Sequence, residues 1–178
     1  MKLFNGLKCL FLDRDGVINI EKENAYILNK HEFVLYENTI EAFQIFKTHF
    51  DKIFVVTNQR GIGKGLMSHE DLHDIHHHLQ EQLQKKNCQI DQFYYAPDLD
   101  DYAELRKPNI GMGLKAKEDF PQIEFQKSVM VGNNLSDMQF GKQLGMKTIF
   151  LTTTQALPLH TDSINEHYPT LYDFANSL

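Results

Sequence analysis

The chain has 178 residues, 42% of them hydrophobic, and its 24 acidic and 18 basic side chains give a net charge of −6. This length fits one domain over residues 1–178 with a single buried core. The negative charge argues against nucleic acid as a partner, because nucleic-acid binders carry basic surfaces. Without a secretory signal or about 20 consecutive apolar residues, we expect a cytoplasmic monomer with no membrane partner.

Apolar runs and helical patterns alternate along the chain. In order, they predict strand 8–12, helix 38–50, strand 52–57, helix 68–86, strand 92–96, helix 111–119, strand 127–132, helix 136–144 and strand 147–152. This alternation is typical of an α/β fold, here a Rossmann-like open parallel sheet with helices on both faces.

Local signals refine three of these segments. Asn38 and Ser68 are candidate caps for the helices that follow them, and Glu70 and Asp71 would lie in the first turn of the second helix. Residues 19–36 have weak periodicity, so we interpret them as a flap, or irregular connection, near the site.

Two carboxylates follow the first predicted strand, in the segment FLDRDGV (11–17). Because side chains alternate along an extended chain, Asp13 and Asp15 can reach the same side. One carboxylate can attack a phosphate monoester and form an acyl phosphate, while the other handles protons. Magnesium, which prefers oxygen ligands, would neutralise the anionic groups.

Further polar residues follow the later strands, at the edge of a parallel sheet where ligands bind. A hydroxyl, an amide and two cations could hold phosphate oxygens, and an amide and a carboxylate follow the fourth strand. These residues are Thr57, Asn58, Arg106, Lys107, Asn133 and Asp137.

Other interpretations of these residues stay open. The DxDG segment alone also fits a turn or a calcium loop, but the twelfth loop position counted from Asp13 is Asn24, which is not acidic. A phosphoacceptor signalling domain would also use acidic residues, a Thr and a Lys on a parallel sheet. A phosphate-binding protein without catalysis is a further alternative. The second strand ending in Thr57 favours a hydrolase.

The combined segments DRDGVIN (13–19), TNQRGI (57–62) and RKPNIGM (106–112) resemble the haloacid dehalogenase superfamily of phosphohydrolases. They are similar to the subgroup that contains heptose-bisphosphate and histidinol-phosphate phosphatases, and the match covers residues 8–152. The resemblance implies a magnesium-dependent phosphatase acting on a small phosphorylated metabolite. D-glycero-D-manno-heptose 1,7-bisphosphate ranks first as substrate, histidinol phosphate second, and another sugar or polyol phosphate third.

The resemblance also implies roles for individual residues. Asp13 is the nucleophile, and Asp15 is the general acid toward the leaving alcohol and then the base for the hydrolytic water. The phosphoryl oxygens are held by Thr57 and Lys107, assisted by Asn58 and Arg106.

For the metal, the resemblance implies contacts with Asp13, the main-chain carbonyl of Asp15, and Asn133. Asp137 would bind the metal directly or through water. The fourth motif of the superfamily usually begins Gly-Asp, but Gly132 is followed here by Asn133, whose amide oxygen carries no neutralising charge.

Two family additions are not expected. Some heptose-bisphosphate phosphatases carry a Cys/His zinc loop before the RKP segment, but this chain has YYAPD (94–98) there, and Cys9 and Cys88 are far apart. We therefore predict no zinc. The intervals 15–57 and 57–107 are filled by the flap and crossover elements, so we predict no large cap domain.

Two other patterns are discounted. Five histidines occur over 69–78, and His73 and His77 have the spacing of a helical metal pair, but the HExxH glutamate is absent. We interpret this segment as a solvated helical face. The segment GIGKG (61–65) matches no nucleotide-binding loop and predicts a flexible turn after Gln59.

Overall fold

The computed structural model describes residues 6–160 and 162–178. Its strands are β1 (Cys9–Leu12), β2 (Lys52–Asn58), β3 (Gln92–Ala96), β4 (Val129–Gly132), β5 (Lys147–Leu151) and β6 (Glu166–Tyr168). They form one parallel sheet in the order β3-β2-β1-β4-β5-β6. The strand order therefore reverses between β1 and β4, which places a ligand site beyond their carboxyl ends.

The helices are α1 (Thr39–His49), α2 (Arg60–Gly63), α3 (His69–Gln84), α4 (Gly111–Asp119), α5 (Leu135–Gln143) and α6 (Leu171–Asn176), with a 3-10 turn at Phe125–Lys127. None of the helices in the described ranges is long and apolar enough to cross a membrane.

The sheet carries a hydrophobic core on each face. Leu10 and Leu12 of β1 belong to a cluster that includes residues of α1, α3 and α6. Cys9 and Phe11 point the other way, into a cluster with residues of α4 and α5. This alternation along a strand buried on both faces explains its unbroken apolar sequence. The predicted α/β architecture is confirmed.

All five predicted strands and four predicted helices are present, with ends shifted by at most two residues. The sequence reading missed α2, α6 and β6. The prediction of a flexible turn at 61–65 was wrong for its first part, because α2 includes residues 61–63. Asn38 has a left-handed backbone with φ 59° and makes no side-chain cap bond, so its predicted capping role was also wrong.

The flap, residues 19–36, contains no helix or extended strand. Its two ends are joined by hydrogen bonds from the amide of Ile20 to the carbonyl of Val34 (2.8 Å) and from the amide of Tyr36 to the carbonyl of Ile18 (3.2 Å). Ile27 and Phe33 are buried in the core. Between β1 and β2, the described chain adds only this flap and α1, which agrees with the absence of a large cap.

Helix α3 begins with a complete capping box. The Ser68 hydroxyl accepts a hydrogen bond from the amide of Asp71 (3.0 Å), and the Asp71 carboxylate accepts one from the amide of Ser68 (2.8 Å). These bonds satisfy two amides that the helix itself leaves without partners.

Ser68→Ala removes half of this capping box, and we expect the free energy of unfolding to fall by about 1 kcal/mol. Urea unfolding followed by circular dichroism measures the change. Ser163→Ala is the control, because no hydrogen bond of the Ser163 hydroxyl is found among the described residues. Equal stability of the two variants would contradict the capping role.

Candidate active site

A cleft lies beyond the carboxyl ends of β1, β2 and β4. Six of the eight predicted site residues line it: Asp13, Asp15, Thr57, Asn58, Lys107 and Asp137. Asp13 continues β1, since its amide donates to the carbonyl of Val131 at 3.0 Å. The topology thus collects residues from distant parts of the sequence at one edge of the sheet.

Lys107 is the central cation of the cleft. Its ammonium lies 3.0 Å from Asp13 Oδ1 and 2.6 Å from Asp137 Oδ1, and it donates to the carbonyl of Val56 at 2.6 Å. Burial disfavours the charged ammonium, but Asp13 and Asp137 outweigh this effect and raise the pKa of Lys107. Lys107 is therefore a fixed positive charge beside Asp13.

The ionised form of Asp13, unlike that of Lys107, is disfavoured in this cleft, mainly because the carboxyl group is buried. Burial raises the pKa of Asp13 above its ordinary value; Lys107 lowers it, whereas Asp137 and Asp15 raise it further. A cation brought close to Asp13 would favour the ionised carboxylate that a nucleophile requires.

Asp15 has a separate set of partners. Arg14 Nη2 lies 2.9 Å from each of its oxygens, Asn19 donates to Oδ1 at 2.9 Å, and Gln59 donates to Oδ2 at 3.0 Å. Burial alone would raise the pKa of Asp15, but the charge of Arg14 and these hydrogen bonds lower it overall. The ionised carboxylate can accept a proton, so this geometry matches the predicted base role more directly than the acid role.

Sequence reasoning missed Arg14, Asn19 and Gln59 as parts of the site. Arg14 is fully buried, and Gln59 also donates to the Thr57 hydroxyl at 2.9 Å. The only signal was their position inside the DRDGVIN and TNQRGI segments, since neither spacing nor residue type shows where a side chain points.

Asn58 and Arg106 each have a hydrogen-bond partner that the sequence did not indicate. The Asn58 amide donates to the main-chain carbonyl of Lys107 (3.1 Å) and accepts from its amide (3.0 Å), so Asn58 positions the Lys107 loop. Arg106 pairs with Asp101 at 2.9 Å and does not line the cleft. Asn58 thus lines the cleft while it supports Lys107, whereas Arg106 lies outside the cleft.

Asn133 and Asp137 both lie at the carboxyl end of β4. Asp137 Oδ2 accepts from the amide of Asn134 at 3.1 Å in the capping box of α5, which leaves Oδ1 toward Lys107. Asn133 is fully buried, and its Nδ2 donates to the Thr154 hydroxyl at 2.8 Å.

The residues fit a magnesium ion that keeps much of its water. In the described part of the chain, no three Asp, Glu, His or Cys side chains converge as a metal cage. Magnesium needs only one or two carboxylates, with waters and substrate oxygens completing its shell. Asp13, Asp137, the Asn133 amide oxygen and the main-chain carbonyl of Asp15 offer this kind of donor set.

His76 departs from the predicted solvated face. It is buried, stacks on Phe93 with ring centroids 4.3 Å apart, and its Nε2 lies 3.5 Å from Arg14 Nη1. Burial, and then the charge of Arg14, lower the pKa of His76, so the ring is neutral and can accept from Arg14. His73 and His77 are exposed, as predicted.

Comparison with known proteins identifies the family. A family model described as polynucleotide kinase 3 phosphatase matches residues 8–163. The chain belongs to this family. Its relatives and its fold confirm the predicted membership of the haloacid dehalogenase superfamily.

Curated relatives match over most of their length. D-glycero-alpha-D-manno-heptose-1,7-bisphosphate 7-phosphatase of Campylobacter jejuni is 36% identical over 83% of this chain and 84% of the relative. D-glycero-beta-D-manno-heptose-1,7-bisphosphate 7-phosphatase of Helicobacter pylori is 34% identical over 84% of this chain and 86% of the relative. These relatives are phosphatases, and their similarity over most of the chain shows that this protein is a phosphatase, a phosphoric monoester hydrolase.

A solved structure supports the fold. D,D-heptose 1,7-bisphosphate phosphatase from B. bronchiseptica, crystallised with magnesium and phosphate, superposes with a TM-score of 0.83 and 22% identity. The match covers 96% of this chain and 97% of that chain.

The raised pKa of Asp13 generates a stability prediction. Between the ordinary pKa of an Asp and this raised value, the native state holds more protons than the unfolded state, so stability falls as pH rises. The asparagine side chain of the Asp13→Asn variant does not titrate in this range. We expect it to gain stability relative to wild type between pH 4 and 8, by on the order of 1–3 kcal/mol.

Urea unfolding of both proteins across this pH range measures the difference. Asp74→Asn, on the exposed face of α3, is the control for removal of a carboxylate outside the cleft. A pH-independent loss of stability in Asp13→Asn would mean that the ion pair with Lys107 outweighs the burial of Asp13.

Arg14→Lys should raise the pKa of Asp15, because a lysine cannot reproduce the forked contact with both carboxylate oxygens. Carbon-13 NMR titration of the Asp15 carboxyl group measures this shift directly. His77→Gln, exposed on α3, serves as the control. An unchanged Asp15 titration in Arg14→Lys would show that a positive charge at this position is enough to lower the pKa of Asp15 without the forked contact.

Proposed function

We propose that this phosphatase removes a phosphate from D-glycero-D-manno-heptose 1,7-bisphosphate with magnesium as cofactor. The observation that carries the proposal is that the two carboxylates after β1 have different partners. Asp13 lies beside the buried ammonium of Lys107, whereas Asp15 accepts hydrogen bonds from three side chains. Their different partners suit different tasks: a cation near Asp13 would favour its ionised, nucleophilic form, and the donors around Asp15 hold it in place for proton transfer.

In the proposed reaction, an Asp13 oxygen bonds to phosphorus while the bond from phosphorus to the sugar oxygen breaks. For this step Asp15 must enter protonated, and it gives its proton to the leaving oxygen; the proton that it later takes from water restores this state. Water then attacks the phosphorus of the aspartyl-phosphate, Asp15 accepts a proton from that water, and phosphate leaves as Asp13 is regenerated.

The phosphoryl oxygens would be held by Lys107 and by the Thr57 hydroxyl, which is buried at the end of β2. Asn58 contributes by fixing the Lys107 loop through both main-chain atoms. This rigid support matters because positioning and charge stabilisation provide most of the catalysis of phosphoryl transfer.

Magnesium would be held by Asp13, the main-chain carbonyl of Asp15, Asn133 and Asp137. When bound, it supplies positive charge that neutralises the phosphate and the carboxylates. The neighbour crystallised with magnesium and phosphate supports this choice of cation.

The substrate is proposed from the relatives' names, which include both the alpha and the beta anomer of the heptose bisphosphate. A cleft without a large cap suits a polar sugar, with the flap forming one wall. We also propose a single-domain, cytoplasmic monomer. Histidinol phosphate, or another sugar or polyol phosphate, is the second candidate.

The description of the family model suggests a different substrate, the 3′-phosphate of a polynucleotide. The net charge of −6 opposes this assignment, since polynucleotide binding depends on basic surface. A 3′-phosphorylated oligonucleotide therefore belongs in the assay as a competitor.

Phosphate release with magnesium should be fastest on the heptose bisphosphate, with one anomer preferred, and slower on histidinol phosphate and the oligonucleotide. Asp13→Asn should lose at least about 10³-fold in kcat, because the nucleophile is gone. Asp74→Asn is the matched control on the exposed face of α3.

Faster release from histidinol phosphate or the oligonucleotide would replace the proposed substrate and retain the mechanism. Equal rates for wild type and Asp13→Asn on every compound would reject the phosphatase mechanism. A stable phosphorylated Asp13 without turnover would instead indicate a phosphoacceptor domain.

A further inference from the structure

Glu21 of the flap has no role in the reaction described so far, yet it lines the cleft. Its Oε2 accepts a hydrogen bond from Nδ2 of Asn133 (3.4 Å), the residue whose amide oxygen is proposed as a metal ligand. A carboxylate at the mouth of a phosphate cleft repels the substrate unless a cation lies between them.

Without Glu21, the site carries too little negative charge to neutralise a divalent cation. Asp13 and Asp137 contribute two negative charges, but Lys107 contributes one positive charge, and Arg14 cancels Asp15. One negative charge therefore remains for a divalent cation, because Asn133 is neutral. Glu21 would add a second.

Glu21 itself has no cationic partner within 4.0 Å among residues 6–160 and 162–178. The adjacent Lys22 pairs with Glu32 at 2.8 Å. Its carboxylate is therefore available to a cation in the cleft.

The flap backbone holds Glu21 close to the carboxylates. The buried Asn19 amide donates both to Asp15 Oδ1 (2.9 Å) and to the carbonyl of Ile20 (3.0 Å), so the residue before Glu21 is tied to the site. Gly16 allows Asn133 and Glu21 to approach the backbone here. A Cβ at this position would lie 2.0 Å from Asn133 Nδ2 and 2.9 Å from Glu21 Oε2.

From these contacts we infer that Glu21 supplies the negative charge that Asn133 lacks and holds the divalent cation from the flap side, directly or through a water. The inference rests on the proposed function. It adds a flap residue to a metal site otherwise built from residues after β1 and β4.

The test uses Mn²⁺ as a spectroscopic substitute for magnesium, with free Mn²⁺ measured by electron paramagnetic resonance in the absence of substrate. Glu21→Gln should weaken Mn²⁺ binding by about tenfold or more, as expected for loss of a group that supports a metal. Glu23→Gln, two residues away and exposed, should bind as wild type does.

Charge rescue makes the test specific. Asn133→Asp in the Glu21→Gln background should restore Mn²⁺ affinity to within about threefold of wild type, because the site regains its carboxylate. Glu21→Asp, which keeps the charge, should lose less affinity than Glu21→Gln. Thermal unfolding of each variant shows whether a loss of binding reflects a loss of folding.

Wild-type Mn²⁺ affinity in Glu21→Gln would overturn the inference and leave the proposed function intact. If that variant also showed a raised KM at unchanged Mn²⁺ affinity, Glu21 would be a contact to substrate hydroxyl groups. A wild-type protein without Mn²⁺ binding and without turnover would overturn both the inference and the proposed function.

Discussion

The buried ammonium of Lys107 connects the parts of this site. It contacts Asp13 after β1, the carbonyl of Val56 within β2, and Asp137 in the first turn of α5. A buried charge is costly unless it is paired and hydrogen-bonded, so these three segments must meet in one geometry. Asn58 adds a second constraint because it binds both main-chain atoms of Lys107. The same contacts that satisfy Lys107 also fix the carboxylate beside it.

Asp13 and Asp15 are two residues apart but lie in opposite electrostatic environments. Asp13 shares one ammonium with Asp137, whereas Asp15 has a guanidinium of its own and two amide donors. The neutral ring of His76 contacts Arg14 at 3.5 Å and brings no negative charge that would compete with Asp15 for the guanidinium. The surroundings of Asp15 thus include a histidine of α3, far from it in sequence.

The main strands and helices, and the residues gathered at the sheet edge, could be predicted because each depends on local pattern: apolar runs for buried strands, and polar residues directly after them. Strand β6 was missed because Glu166–Tyr168 is short and polar enough to resemble a loop. The directions of Asn58, Arg106 and His76 could not be predicted, since each is set by a partner distant in sequence. Residue type indicated what these side chains could bind, and only the fold showed what they do bind.

Phosphate recognition in this cleft cannot depend on free cationic side chains. The two lysines that line it, Lys107 and Lys22, are both paired with carboxylates. An anionic substrate would therefore meet a nearly balanced or negative surface, in keeping with the net charge of the chain. The proposed divalent cation would neutralise substrate and carboxylates together, with Lys107 and hydroxyl and amide donors fixing the orientation. With such a cation, affinity for substrate and affinity for metal would be two aspects of one electrostatic balance.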